Sequence, residues 1–362
     1  MRWPFAAFRL LFRTMSLVAV LAMLTAVPLL QIIAFGYLLD VAGRLTRREK
    51  WSEVFPWGRQ IGRLGLAGVT LYLAAQPTRL LSHWSAVADL VSPGSRTSAW
   101  LSVASIIATI AMMIYLAWAW IRGGRVRHYL LPEPIRFVKE FWRPSTWSRA
   151  SDELWHFAVS FELPRLFWLG LRGVLGTLVW LSPAVIIIAA TRNGDTGVAN
   201  VVAVLGFIGL GISLMYLPML QAQFAADNKL RSMFAFRKIR RLYRRAPLAW
   251  TTAMLLTLGL LPILLYLLKI EAPPEELVWL LCLFFIAFAL PARIACGLAL
   301  GRANNRPDPT SIWAMFCRWL GRFGVPVIVG FYLLVVWGSQ YTSWDGVDTW
   351  IQQHAVLVPV PM

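Results

Sequence analysis

Eight stretches of the chain are predominantly apolar: 15–40, 62–82, 98–121, 167–191, 198–225, 248–268, 276–300 and 324–342. Each approaches the roughly 20 residues that a helix needs to cross a hydrocarbon core about 30 Å thick. Residues 98–121 carry no charge, whereas 62–82 is interrupted by Gln76, Pro77 and Arg79. The pattern predicts an all-α, polytopic transmembrane helical bundle of about eight apolar segments.

Polar positions add direction to those segments. The gaps 43–63, 122–165, 226–247 and 301–323 hold 6, 8, 8 and 4 Lys/Arg, while 82–97, 192–197, 269–275 and 343–362 hold 1, 1, 1 and 0. Basic loops are retained on the cytoplasmic side of a membrane. The alternation predicts four hairpins joined on the cytoplasmic side, an extracytoplasmic C-terminus and a prokaryotic cytoplasmic (inner) membrane, with residues 1–362 forming one integral membrane domain.

The first segment strains this scheme, because Arg2, Arg9 and Arg13 precede it and six basic residues follow. A single crossing keeps eight spans; a re-entrant hairpin broken at Pro28 would leave both flanks inside. As one helix, 14–42 measures roughly 43 Å, long for one crossing and short for two. The Arg-rich start has the look of a signal peptide, but the apolar run continues to Leu39 without a small-residue cleavage site and is expected to be retained. Pro28-Leu29-Leu30-Gln31 is echoed by Pro218-Met219-Leu220-Gln221, and Pro291 holds a similar place in the seventh segment. Kinks at such prolines are a device of transporters built from paired broken helices.

With 58% hydrophobic residues and a mean hydropathy of +0.62, the chain is too apolar for an ordinary soluble domain. A net charge of +18 invites a nucleic-acid partner, but the basic residues border apolar spans, where they set topology and meet anionic headgroups. No nucleic acid is therefore expected. Cys282, Cys296 and Cys317 have neither metal nor C-x-x-C spacing, and four scattered histidines form no ligand cluster, so no metal, cofactor or disulfide is expected. Trp100, Trp118, Trp120, Trp168, Trp250, Trp279, Trp337 and Trp344 lie near segment ends, as in aromatic belts. No phosphate-loop, zinc-protease or nucleophile-elbow motif occurs.

Candidate chemistry lies mainly in the basic gaps. From Asp227 to Arg245, apolar residues recur at near-helical spacing among Arg237, Lys238, Arg240, Arg241, Arg244 and Arg245. This predicts a basic amphipathic helix lying in the headgroup plane, contacting anionic lipid. Segment 122–165 predicts two short interfacial helices broken at Pro144 and ended near Pro164. Its acids Asp152 and Glu153 point apart on a helix and lack a partner for catalysis. Within the spans, Arg79 and Arg172 lie close to the ends, and Arg293 is two turns inside the seventh, where snorkelling to the cytoplasmic face competes with an inward anion contact. No Asp or Glu falls mid-span, which counts against a carboxylate-coupled carrier. Gly170, Gly173 and Gly176 with Gly206, Gly209 and Gly211 predict close packing of the fourth and fifth spans.

Pro28 to Arg44, with Gly36-Tyr37 leading into a basic turn and then Trp57-Gly58, resembles the opening signature of a bacterial and archaeal membrane family, domain of unknown function 4013. Phe234-Ala235-Phe236-Arg237 is similar to its second shared element, and the likeness runs over residues 15–270. The family has no established activity, so the resemblance implies architecture and no substrate. Two functions are expected to compete: a non-enzymatic membrane scaffold or assembly component contacting anionic lipid and unidentified protein partners, and a small-molecule or lipid transporter built around the kinks at Pro28, Pro218 and Pro291.

Overall fold

The computed structural model describes residues 3–131, 133–191, 197–270, 274, 278–308, 310–343 and 347–360. No strand occurs among them. In chain order the first half contains α1 (Trp3–Thr25), α2 (Gln31–Thr46), α3 (Trp51–Val54), α4 (Gly58–Val91), α5 (Arg96–Ile121), α6 (Val126–Leu130), α7 (Pro134–Phe141) and α8 (Pro144–Val159). The second contains α9 (Leu163–Thr191), α10 (Gly197–Asp227), α11 (Phe236–Tyr243), α12 (Pro247–Met254), α13 (Leu261–Leu267), α14 (Val278–Asn305), α15 (Ile312–Thr342) and α16 (Val347–Gln352). Proline opens α7, α8 and α12, where a missing N–H costs nothing, and the Ser95 hydroxyl caps α5 by accepting the Ser98 amide at 3.2 Å.

Seven of these helices are long and apolar enough to cross a membrane, not eight. The stretch 62–82, part of the 34-residue α4, falls short because Arg63, Gln76, Pro77 and Arg79 dilute its apolar content. The first apolar stretch is not one helix either. The chain turns at 26–30 around Pro28, between α1 and α2, which together hold 39 residues. At about 1.5 Å per residue that is roughly 58 Å of helix, more than the 14–42 stretch offers, because α1 begins eleven residues before position 14 and α2 runs four beyond position 42. Pro218 and Pro291, by contrast, lie inside the continuous helices α10 and α14. The four-residue echo therefore marks a break at one end and unbroken helix at the other.

The described residues pack as two compact units, Met1–Leu17 with Trp57–Glu162, and Val18–Pro56 with Leu163–Met362. In the first unit α4 and α5 form a long pair joined by the short turn at Gly94. Gly62 and Gly65 on α4 receive Arg13 and Ser16 of α1. Trp57 and Phe161 lock the two chain ends of this unit: their rings meet edge-on at 5.2 Å, and the indole N–H donates to the Phe161 carbonyl at 2.9 Å.

In the second unit α2 is the central rod, buried along almost its whole length against α9, α10 and α14. Glycines permit the approach. A Cβ at Gly36 would collide with the Leu166 carbonyl of α9, one at Gly170 with the Ile32 carbonyl, and one at Gly43 would lie 2.7 Å from the Ala225 backbone of α10. A Cβ at Gly297 or Gly301 of α14 would lie 2.6 Å from the carbonyl of Ala42 or Leu45 respectively. Gly206 and Gly209 do face α9, as expected for spans four and five, but Gly170 and Gly173 face α2. The most extensive pairings, α4 with α5 and α9 with α10, are between helices joined through the short, weakly basic gaps. Short connections hold antiparallel neighbours together, while the long basic gaps fold into helices of their own.

Replacing Gly36 by Ala is expected to lower stability by about 1–3 kcal/mol, since the obstructing atom is backbone and cannot swing away. A lower thermal midpoint in detergent, with no such drop for Gly330→Ala in open space, checks this.

Candidate functional site

Three polar places emerge from this scaffold. The first lies inside the second unit. Arg293 on α14 is 1% exposed, so it neither snorkels nor reaches lipid. Its guanidinium donates to Gln221 Oε1 and to the Val356 carbonyl, both at 2.5 Å, and lies 5.3 Å from the Phe35 ring centre. Gln221 Nε2 in turn donates to Thr177 Oγ1 at 2.6 Å and to the Leu357 carbonyl at 2.7 Å. Arg293 itself meets an amide and a carbonyl oxygen, and the acceptors of the network that Gln221 extends from it are amide, hydroxyl and carbonyl oxygens. Two of them come from the C-terminal segment, where residues 349–358 tuck α16 and a 3-10 turn into the bundle, apart from the exposed Ile351 and half-buried Gln352. Beside it, Gln31 lines a space of about 20 Å³, room for a single water.

The second place is α11. Ile239 and Leu242 are buried in the protein, so the apolar face of this helix packs on the bundle. The expected single helix over 227–245 is a 3-10 turn, Leu230–Phe234, followed by α11. Arg237, Lys238, Arg240, Arg241 and Arg244 are exposed. Lys238 lies 3.8 Å from Asp227, and Arg245 pairs with Asp308 at 2.9 Å, which holds the Asp308 carboxyl below its usual range. Arg240 borders a crevice of about 130 Å³ with Arg322, Tyr216 and Tyr243. Burial pushes the Tyr243 phenol up to about 12, so it remains a neutral donor, and among the described residues its hydroxyl has no partner. Gly321 faces that hydroxyl, leaving no Cβ to fill the space.

Other basic residues of this unit are spent on helix ends. Asp40, near the end of α2, binds Arg44 at 2.7 Å and Arg165 at 2.9 Å. Arg47 donates to the last carbonyls of α10, Ala225 and Ala226, and Arg172 to Asn228, whose φ of +52 closes that helix.

The third place, absent from the sequence reading, lies in the first unit. Gly123 and Gly124, at φ +107 and +57, turn the chain sharply after α5. Arg122 holds the turn by donating to the carbonyls of His128 and Leu131 at 2.6 and 2.7 Å and pairing with Glu133 at 3.1 Å. His128 Nδ1 accepts the Arg125 amide at 3.4 Å. Arg13, Arg63, Arg125 and Arg127 converge with it on a cleft of about 850 Å³.

Of the expected belt tryptophans, Trp100, Trp168, Trp279 and Trp337 are exposed, but Trp118 and Trp250 are buried packing residues; Trp344 lies outside the described residues, as do Arg2 and most of the gaps 192–197 and 269–275. Arg79 and Asn200 are exposed, and the Gln76 amide bonds back to its own helix at Tyr72. Cys282, Cys296 and Cys317 are free and buried. No cluster of metal-ligating side chains occurs among the described residues.

With seven helices among the described residues long and apolar enough to cross a membrane, this is a multi-pass membrane protein. Residues 152–270, about a third of the chain, match the family described as Protein of unknown function (DUF4013), so the chain carries a DUF4013 region running from α8 to the end of α13. That region contains Phe234–Arg237; the Pro28–Gly58 stretch lies outside it. No curated protein and no solved structure matches the chain.

Two outcomes follow from these geometries. Gln221→Leu strips Arg293 of a neutral partner while leaving its charge buried, and losses of about 1.5–3 kcal/mol accompany removal of a hydrogen bond to a charged group. The C-terminal segment should loosen, so that a cysteine introduced by Val358→Cys reacts with maleimide several-fold faster in the Gln221→Leu background. Burial first, then Arg127, Arg122 and Arg125, lower the His128 pKa below its usual 6.5, against a weaker pull from Glu133. The unfolded chain therefore takes up this proton first, and the His128 contribution to stability, complete above about pH 6.5, shrinks as pH falls toward the depressed native value. Thermal midpoints followed downward from neutral pH should fall less steeply in His128→Gln than in the parent.

Proposed function

We propose that this multi-pass membrane protein is a non-enzymatic scaffold or assembly component of a prokaryotic cytoplasmic membrane, working through contacts between its basic cytoplasmic face and anionic lipid. The observation that carries the reading is the division of α11: Ile239 and Leu242 anchor it to the bundle, leaving Arg237, Lys238, Arg240, Arg241 and Arg244 outward. Anchored this way, the cations are presented at fixed spacing, and each is worth about 1 kcal/mol near an anionic surface. The crevice beside Arg240 adds a neutral phenol donor and Arg322, a set suited to a phosphate oxygen.

Topology follows the same charge rule. The break at Pro28 offers both basic flanks of the first apolar stretch a route to the cytoplasm, and the lack of Lys and Arg in 343–362 supports an extracytoplasmic C-terminal segment. A transport reading needs a midplane cavity at Arg293, and that position is filled by the carbonyls of Val356 and Leu357 through Arg293 and Gln221.

In bilayers mixing phosphatidylcholine with spin-labelled phosphatidylglycerol, the parent should enrich the anionic lipid at its boundary. The combined changes Arg240→Gln, Arg241→Gln, Arg244→Gln and Arg245→Gln should reduce that preference several-fold. An unaltered preference removes the basis of the proposal.

A further inference from the structure

The cleft of the first unit is built unlike the rest of the basic surface. Arg63 rests between two rings, 5.4 Å from the centre of Trp120 and 5.3 Å from that of Phe157, which fixes its guanidinium while leaving its Nε unpartnered among the described residues. Arg125 and Arg127 line the cleft from just after the glycine turn, and Arg13 enters from α1, lying along Gly62 of α4. None of these four forms an ion pair with a carboxylate among the described residues, whereas Arg44, Arg47, Arg136, Arg165 and Arg245 all do. Arg122, the fifth arginine of the cleft, is held by carbonyls and Glu133 and acts as the frame.

Four cations drawn from three separate parts of the chain, at a cleft of about 850 Å³, outnumber the one carboxylate that lines it with them, Glu153, which forms no ion pair with any of the four among the described residues. Stability alone gives no reason to assemble them. We propose that this cleft is a binding site for a phosphoryl group, carried by a free phosphate compound or by a phospholipid headgroup. Several guanidinium forks converging on one space match the multiple oxygens and double charge of a phosphate monoester better than a single carboxylate. The volume falls within the range of small-molecule sites, far beyond one inorganic ion. Glu153, His156 and Ser160, which also line the cleft, supply acceptors and donors for a polar body attached to the phosphate. The site is separate from the α11 surface, shares no residue with it and stands or falls independently.

The test uses the full chain in nanodiscs of phosphatidylcholine, with radiolabelled inorganic phosphate and water-soluble dihexanoyl phosphatidic acid as the two probes. Arg125→Gln with Arg127→Gln removes two exposed cations from the cleft; Arg143→Gln with Arg149→Gln removes the same charge from exposed positions outside it. Saturable binding of both probes, weakened about 10-fold or more by the cleft pair and little by the outer pair, supports the site and assigns recognition to the phosphoryl group itself. Binding of the phosphatidic acid alone, with the same loss, supports the site and makes a lipid headgroup its source. Arg63→Gln, on the aromatic wall, should give a comparable loss. Absence of saturable binding of either probe at millimolar concentration, or equal losses from the cleft and outer pairs, overturns the proposal.

Discussion

Backbone-to-backbone contact at glycine is the constraint on which the second unit depends. Inside a bilayer the apolar effect does not favour helix against helix, because lipid tails are as apolar as Leu. Association must come from close packing and polar bonds. Gly36, Gly43, Gly170, Gly297 and Gly301 remove the side chains that would keep α2 at ordinary distance from α9, α10 and α14. Once α2 is seated, Phe35 lies beneath Arg293, Gln31 lies beside the C-terminal segment, and Asp40 reaches Arg165. The polar interior of this unit is thus positioned by the residues with the least chemistry of their own.

Arginine serves two distinct ends. Arg44, Arg47, Arg165 and Arg172 tie helix termini and a buried acid together, and their charge is largely consumed by those partners. On α11 and in the cleft of the first unit the guanidinium groups meet no comparable neutralisation. Count alone does not separate these groups, since the gaps 122–165 and 226–247 carry equal numbers of basic residues. Partnership does, and it depends on folding.

That distinction explains what could be read from the sequence. Long apolar runs such as 98–121 announce α5 directly, and Pro28 announces a break because it stands between two helix-forming stretches. The buried face of α11 was legible as spacing, but not what it would be buried against. The C-terminal segment was missed because it is short and mixes Gln353 and His354 with apolar residues, so it resembles neither span nor amphipathic helix. The cleft left no local trace at all. Arg13, Arg63 and Arg125 are about 50 to 60 residues apart in sequence, and only the packing of α1 on α4 and the glycine turn after α5 unites them.

Arg293 shows how a membrane bundle can carry a cation without an acid. A buried charge costs several kcal/mol of lost hydration, and a carboxylate partner would recover part of it at the expense of burying a second charge. Here the compensation comes from dipoles: an amide oxygen on α10, a carbonyl from the C-terminal segment and the face of Phe35. Each is weaker than a carboxylate, yet none needs to be stripped of a full hydration shell. The arrangement also couples distant parts of the chain. Gln221 can serve Arg293 and Thr177 whatever the C-terminus does, but the carbonyls of Val356 and Leu357 reach the network only when residues 353–358 are folded into the bundle. Docking of the tail and satisfaction of the buried cation are therefore one event, and the stability of the core depends on a segment of the chain far from it in sequence.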